Sequence, residues 1–378
     1  MKNAQSSITT IADEVREKTG FMLEHDVASI FENSGWTVIH NRYYLDDVQA
    51  IQREIDLLVY KVSKYEDTSI FTTIIISCKK SSFKDWVFLT RDAKGTKVNL
   101  NTEPFTYWSN DDVVNYQLAG RKISEINLLD QKRASRFKKL FKYDKVVYGF
   151  REYDNKKVNN KLENDTGIYD SIISLIKSQS FELDSLPTRR KNGNYYYNIN
   201  LLAIADVNRF IEIECRENET KEKQVDRIIY VNRFLVNRQQ HNARVVFTRF
   251  ENLKRIVSDF DFLHEANCKI VSTGTSNFYE KLLYKEFSAR HLLVKKHRNR
   301  LLDSLKWRLN SEFTIENTPN LYLEYTKENG FELEIDFPEN IIDYINKDDR
   351  ITNMTKDWLK EYFRYEGDFR YVTLDLPF

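Results

Sequence analysis

The chain has few of the residues that staple or punctuate a structure. Three cysteines, Cys78, Cys215 and Cys268, lie far apart among 378 residues. Two of them sit in apolar strand patterns. This spacing argues against a disulfide framework or a zinc site and favours buried free thiols in a reducing cytoplasm. Ten glycines and five prolines are too few for a low-complexity or disordered chain. No apolar run approaches the roughly 20 residues of a membrane helix. The opening Met1-Lys2-Asn3-Ala4 has no signal-peptide core, so no membrane partner is expected. An excess of either charge is also lacking: 58 Lys and Arg stand against 57 Asp and Glu, for a net charge of +1. Any nucleic-acid surface must therefore be a local patch. The six histidines show no metal-ligand spacing such as HExxH, and no Walker A pattern is present, so energy-driven translocation would need another protein.

What is present is core material. Hydrophobic residues make up 41% and aromatics 13% of the chain, enough for two or three domains at this length. Ile8, Ile11 and Val15 predict a short first helix. Phe21 to Asn33 predicts an amphipathic one with Val27, Ala28, Ile30 and Phe31 inward. Glu24 shares that inward face. It reads either as an acid reaching a functional site or as a half-exposed residue favoured by the helix N-terminus. Gly35 ends the helix and a strand follows over Trp36 to Tyr44.

The organising stretch is residues 53–80. Ile55, Leu57 and Val59 alternate with Asp56, Leu58 and Tyr60, and Thr72 to Ile76 is an unbroken β-branched run. Polar residues between them predict a hairpin. Asp56 and Lys79 can then project from one end of one sheet. A carboxylate can hold a divalent cation that activates water, and a lysine can orient the nucleophile or stabilise charge in the transition state.

Glu54-Ile55-Asp56-Leu57-Leu58 followed by Ser77-Cys78-Lys79 resembles the core of the PD-(D/E)XK nuclease superfamily, the restriction-endonuclease-like fold. That family places an Asp on one strand and Glu/Gln-x-Lys at the end of the next. Here Ser77 stands where the family has Glu or Gln. The resemblance covers roughly residues 17–150. It implies Mg2+ or Mn2+ bound by Asp56, Glu24 and the backbone carbonyl of Cys78. The implied catalytic set is Asp56, Lys79, Glu24 and Ser77, with Glu54 as an alternative second carboxylate. The implied activity is DNA cleavage in restriction or anti-phage defence, with partner subunits or self-association open. The alternative is an inactive nucleic-acid-binding or scaffolding subunit of a defence or repair complex; a structural protein without nucleic acid is a third reading.

Downstream, residues 81–110 read as an irregular basic and aromatic insertion, suited either to nucleic acid or to solvent. A helix is expected from Asp111 and Asp112 to about Phe141. Its basic face, Lys132, Arg133, Arg136, Lys138 and Lys139, together with Lys80, forms the candidate phosphate-binding set. A solvated helix face is the other reading. After a polar linker over 151–165, the pattern of the first half returns. Ile168 to Ile176 parallels the Glu24 helix, with Tyr169 at the Glu24 position. Asn198 to Leu202 parallels the Asp56 strand, and Ile211 to Arg216 the Lys79 strand. A helix over 221–240 follows, then a strand at Val245 to Phe247. The degenerate second site would hold Asn200, Glu214 and Arg216.

The expected fold class is therefore α/β: two restriction-endonuclease-like α/β/α modules in tandem, over 1–155 and 166–290, each with its own sheet. A small α+β domain is expected over 291–378. Within it, Leu321 to Asp336 around Asn329-Gly330 is a strong hairpin signal, rich in carboxylates. Leu253 to His264 and Phe278 to Phe287 read as helices, Cys268 to Ser272 as a strand, and the basic run Lys295 to Arg300 opens a further helix.

Overall fold

The β-branched run Thr72 to Ile76 lies inside a large mixed sheet. The computed structural model describes residues 14–15, 19–46, 51–93, 104–119, 131–154, 165–216, 219–236, 239–284, 287–315 and 317–374. It divides into two compact units: Met1–Asp111 with Gly120–Ser272, and Asp112–Ala119 with Thr273–Phe378.

In the first unit, α1 (Phe21–Asn33) ends at Gly35, whose φ of 76° suits glycine. Next come β1 (Thr37–Asp46), β2 (Ile51–Tyr65) and β3 (Thr68–Asp92). β1, β2 and β3 are successive antiparallel neighbours. The expected hairpin turns at Glu66, in the left-handed region at φ 50°. The first unit continues with β4 (Tyr107–Ser109), α3 (Gln131–Lys138), β5 (Lys145–Asp154), α4 (Thr166–Arg189) and β6 (Asn194–Arg216). After these come β7 (Glu219–Val225), β8 (Arg227–Val236) and β9 (Gln239–Arg249). Helix α5 spans Leu253–Tyr284, and α2 (Asp112–Leu118) belongs to the second unit.

All nine strands form one sheet, ordered β1-β2-β3-β6-β9-β8, with β4 and β7 also on β6 and β5 on β3. The two expected tandem modules do not have separate sheets. β3 and β6 are parallel neighbours from Thr68↔Asn194 to Thr90↔Glu214, so the two expected modules share a sheet. Asn198–Leu202 and Ile211–Arg216 are not two strands of a hairpin but two parts of β6. Likewise Ser81 to Asp92 continues β3 instead of forming an irregular insertion. Between Ser81 and Asp85 the register shifts, and beyond it β5 flanks β3 while β7 flanks β6.

One sheet face packs on α4. Ile168, Ile172, Leu175, Ile176 and Leu186 join Leu58, Ile75, Leu201, Val245 and Phe247 in one apolar cluster. The other face meets α5 through a buried polar network. His264 bonds Ser63 and Thr72, each at 2.9 Å. Asn267 donates to Thr72 (2.7 Å) and to Asn198 (3.2 Å). Burial pushes the His264 pKa down to about 4, which keeps the ring neutral.

Three further expectations change. The described residues of 221–240 belong to β7, β8 and the start of β9, not to a helix. β7 is an exposed, charged edge strand, and such charges protect an edge from further pairing. Cys268 to Ser272 is helical, within α5; burial of Ile270 and Val271 on that helix outweighs their strand preference. The helix from Asp111 is not continuous, since α2 ends at Leu118 and α3 begins at Gln131. The residues between 120 and 130, the first helix except for 14–15, and linker residues 155–164 lie outside the described residues.

The second unit is α+β. Its helices α6 (Phe287–Leu309), α7 (Glu339–Lys347) and α8 (Asp349–Phe363) accompany a three-stranded sheet of β10 (Leu321–Thr326), β11 (Gly330–Ile335) and β12 (Phe369–Thr373). The Asn329-Gly330 hairpin forms as read, with Gly330 at φ 69°. Among the described residues, no helix is long and apolar enough to cross a membrane.

Candidate active site

The β2–β3 ladder runs inward from the hairpin and stops at Leu57↔Ile76. One step further the strands separate, and Asp56 fills the gap. Its Oδ2 accepts the Cys78 backbone N–H at 2.7 Å in place of a ladder bond. In an extended strand the N–H and C=O of one residue leave by the same edge. The Cys78 carbonyl therefore faces the same gap as its N–H. On its far side β3 stays paired with β6, at Cys78↔Ile204 and Lys79↔Ala205, which fixes the position of Lys79.

Ser77 is buried, 3% exposed, and its hydroxyl hydrogen-bonds Asp56. It holds the aspartate instead of supplying a carboxylate. Helix α1 carries Glu24 to the same place. Partial burial first, then the charges of Asp56 and Glu54, raise the Glu24 pKa to about 7, with Lys79 opposing. Asp56 is also raised, by burial first and by Glu54, against the Cys78 N–H, Lys79 and the Ser77 hydroxyl. The Cys78 thiol is pushed well above its ordinary value by burial, Asp56 and Glu24. It stays protonated, leaving only the carbonyl of Cys78 as a donor.

The residues thus gathered are Glu24, Glu54, Asp56, Ser77, Cys78 and Lys79. A half-buried site in which Asp56 and Glu54 raise the Glu24 pKa suits a hard cation, because oxygen donors are what Mg2+ and Mn2+ take. Among the described residues no group of three His, Cys, Asp or Glu side chains is already drawn together around an ion position. Mg2+ does not need such a cage: it is held by one or two carboxylates and keeps its remaining positions for water and substrate phosphate. The donor set fits on those terms.

Asn41 is absent from the sequence reading. It lies in β1 opposite Asp56, has φ 49°, and donates from Nδ2 to Glu54 Oε1 at 2.7 Å. Its signal was an asparagine inside a strand pattern, where that residue is depleted but tolerates the left-handed region. It aims the Glu54 carboxylate.

The degenerate second site does not form. Asn200 and Glu214 sit fourteen residues apart on β6, about 45 Å at the usual rise per residue. Asn200 is buried, donating to the Thr73 carbonyl (3.3 Å) and accepting from Arg244 Nη2 (2.9 Å). Glu214 pairs with Lys145 at 3.0 Å. The side chain of Arg216 lies outside the described residues, and Tyr169 is exposed.

The expected phosphate-binding set is partly committed elsewhere. Lys80 faces Asp206 at 3.7 Å. Arg136 bonds Asp259 at 3.2 Å and lies over the Phe262 ring at 4.7 Å, docking α3 on α5. Arg133 pairs with Glu265 at 3.1 Å in an exposed pair that exchanges partners at little cost. Lys138 is half-buried, whereas Lys132 and Lys139 are exposed.

No family model, curated protein or solved structure matches the chain.

Proposed function

We propose that the first unit is a divalent-metal-dependent nuclease of the PD-(D/E)XK type acting on DNA. The observation that carries the reading is the opening at Leu57↔Ile76, where Asp56 takes the Cys78 N–H beside Lys79. Mg2+ or Mn2+ would be held by Asp56, the Cys78 carbonyl and Glu24, with Glu54 alongside, and would supply an activated water and charge neutralisation at phosphate. Cys78 N–H and Ser77 hold the Asp56 carboxylate in one orientation. Lys79 directs its ammonium toward the attacking water and the non-bridging oxygens, where negative charge grows. A role in restriction or anti-phage defence rests on the family resemblance alone.

The test is incubation of plasmid and linear duplex DNA with the full chain and Mg2+ or Mn2+. Strand scission that EDTA stops supports the reading. Salt-dependent binding without scission under either metal supports instead an inactive DNA-binding subunit, the reading favoured by serine at position 77.

Glu24 gives a pH signature. To hold a cation its carboxyl must lose the proton retained up to about pH 7. Mn2+ affinity, measured by calorimetry, is expected to rise by up to about tenfold per pH unit below 7 and to level off above it. Glu24→Gln should flatten that slope. In the metal-free protein the sign is opposite: a carboxyl raised on folding stabilises fully below its unfolded pKa of 4.5 and loses that contribution as pH rises through 7. An unchanged slope in Glu24→Gln would remove Glu24 from the site.

A further inference from the structure

In the second unit, α6 and α8 pack side by side in opposite directions. Trp358 Nε1 donates to the His297 carbonyl at 3.1 Å, and Arg308 Nη2 to Asp348 Oδ2 at 3.2 Å. Leu301, Leu305, Ile351 and Leu359 share the core beneath them. Near the Arg308 end the helices leave a cavity of about 540 Å³, lined by Asp303, Trp307, Arg308, Arg350, Ile351 and Met354. Trp307 is 80% exposed, more than any other large apolar side chain described. An indole left in water forgoes the burial that usually decides where tryptophan sits. Arg308 adds a second unspent group: its Nε is buried and has no acceptor.

We propose that this cavity binds a nucleobase bearing an exocyclic amino group, stacked on Trp307, with its phosphate held by Arg308 and Arg350. Three features select that chemistry. An exposed indole is a stacking platform for any base, and a neighbouring carboxylate, Asp303, accepts from a base amino group. The cavity supplies the counter-charge: Arg308 and Arg350 line it against one acid, Asp303. The cavity is also short. Two turns away, His297 stacks on Tyr362 (4.0 Å) and Arg300 bonds Glu361 (3.1 Å), closing the groove to a docking helix. Its volume is in the range of small-ligand sites.

The base can come from a free nucleotide or from an unstacked position in a strand, and the experiment separates the two. The full chain in EDTA, where metal-dependent cleavage cannot proceed, is titrated with deoxycytidine monophosphate, thymidine monophosphate and an oligothymidine containing one cytidine. Binding is followed calorimetrically, so the outcome is independent of Asp56 and Lys79. The cytidine ligands are expected to bind more tightly than thymidine monophosphate. Trp307→Ala should weaken them about tenfold or more, with Trp307→Phe recovering most of the loss. Asp303→Asn should erase the preference for cytidine. A tighter, salt-sensitive oligonucleotide identifies the strand as the source; equal affinity identifies the free nucleotide. No binding at millimolar concentrations, or equal binding by wild type and Trp307→Ala, overturns the proposal. Trp307 is surface-exposed, so its replacement should leave the fold intact, which circular dichroism checks.

Discussion

Replacing Lys79 with methionine, or Asp56 with asparagine, is expected to lower metal-dependent DNA cleavage by about 10²–10⁴-fold with little change in stability. The two changes act on different steps. Lys79→Met keeps the apolar stem and removes the charge proposed to meet phosphate, so Mn2+ binding should survive while turnover falls. Asp56→Asn keeps an acceptor for the Cys78 N–H, so the end of the ladder stays closed. It removes the anion, so metal affinity and turnover should fall together. Asp56→Ala is the less informative variant, because it also strands the Cys78 N–H, at about 1–3 kcal/mol. Burial already disfavours charge on Asp56, so removing that charge should not destabilise the metal-free protein. Calorimetry with Mn2+ and a plasmid-nicking assay separate binding from turnover. Full cleavage by both variants would place the chemistry elsewhere in the molecule.

The parts of this site that were legible in the sequence are local. The Thr72 to Ile76 run, the alternation around Asp56 and the spacing on α1 each span a few residues, and each fixes an element by its own periodicity. Their convergence followed from one short hairpin. The sheet as a whole was not legible, because its central pairing joins β3 to β6 across more than a hundred residues. Period-2 patterning gives a strand's faces but not its neighbour. A long strand with a polar stretch, such as Ala205 to Arg209 in β6, also looks like two strands and a turn. That ambiguity produced the apparent repeat: Asn200 and Glu214 matched the motif in order along the chain but not in space. The basic run on α3 misled for a related reason. Composition does not distinguish an arginine facing solvent from Arg136, which faces Asp259. Asn41 shows the converse case, where an unfavourable residue in a strand marked a position that supports Glu54.

The shift between Ser81 and Asp85 carries the largest expected effect on stability. Asp85 is fully buried there, 0% exposed, and its carboxylate takes Asn208 Nδ2 at 2.7 Å and Arg209 Nη2 at 2.5 Å. Arg209 is itself 43% exposed. The pair is therefore asymmetric: one charge has left water and the other has not. Arg209→Ala removes a charged partner from a fully buried carboxylate and should cost about 3 kcal/mol. Asp85→Asn leaves a guanidinium that water can still reach and should cost clearly less. Asp85→Leu combined with Arg209→Met should recover much of the loss, since an apolar pair of similar volume has no charge to desolvate. Because the chain has two compact units, unfolding need not be one transition, and the comparison belongs to whichever midpoint the single variants move. Equal losses for Arg209→Ala and Asp85→Asn would mean that the pair is solvated on both sides. The offset of β3 against β6 would then rest on Trp86 stacked on Phe210, at 5.7 Å, instead of on the ion pair.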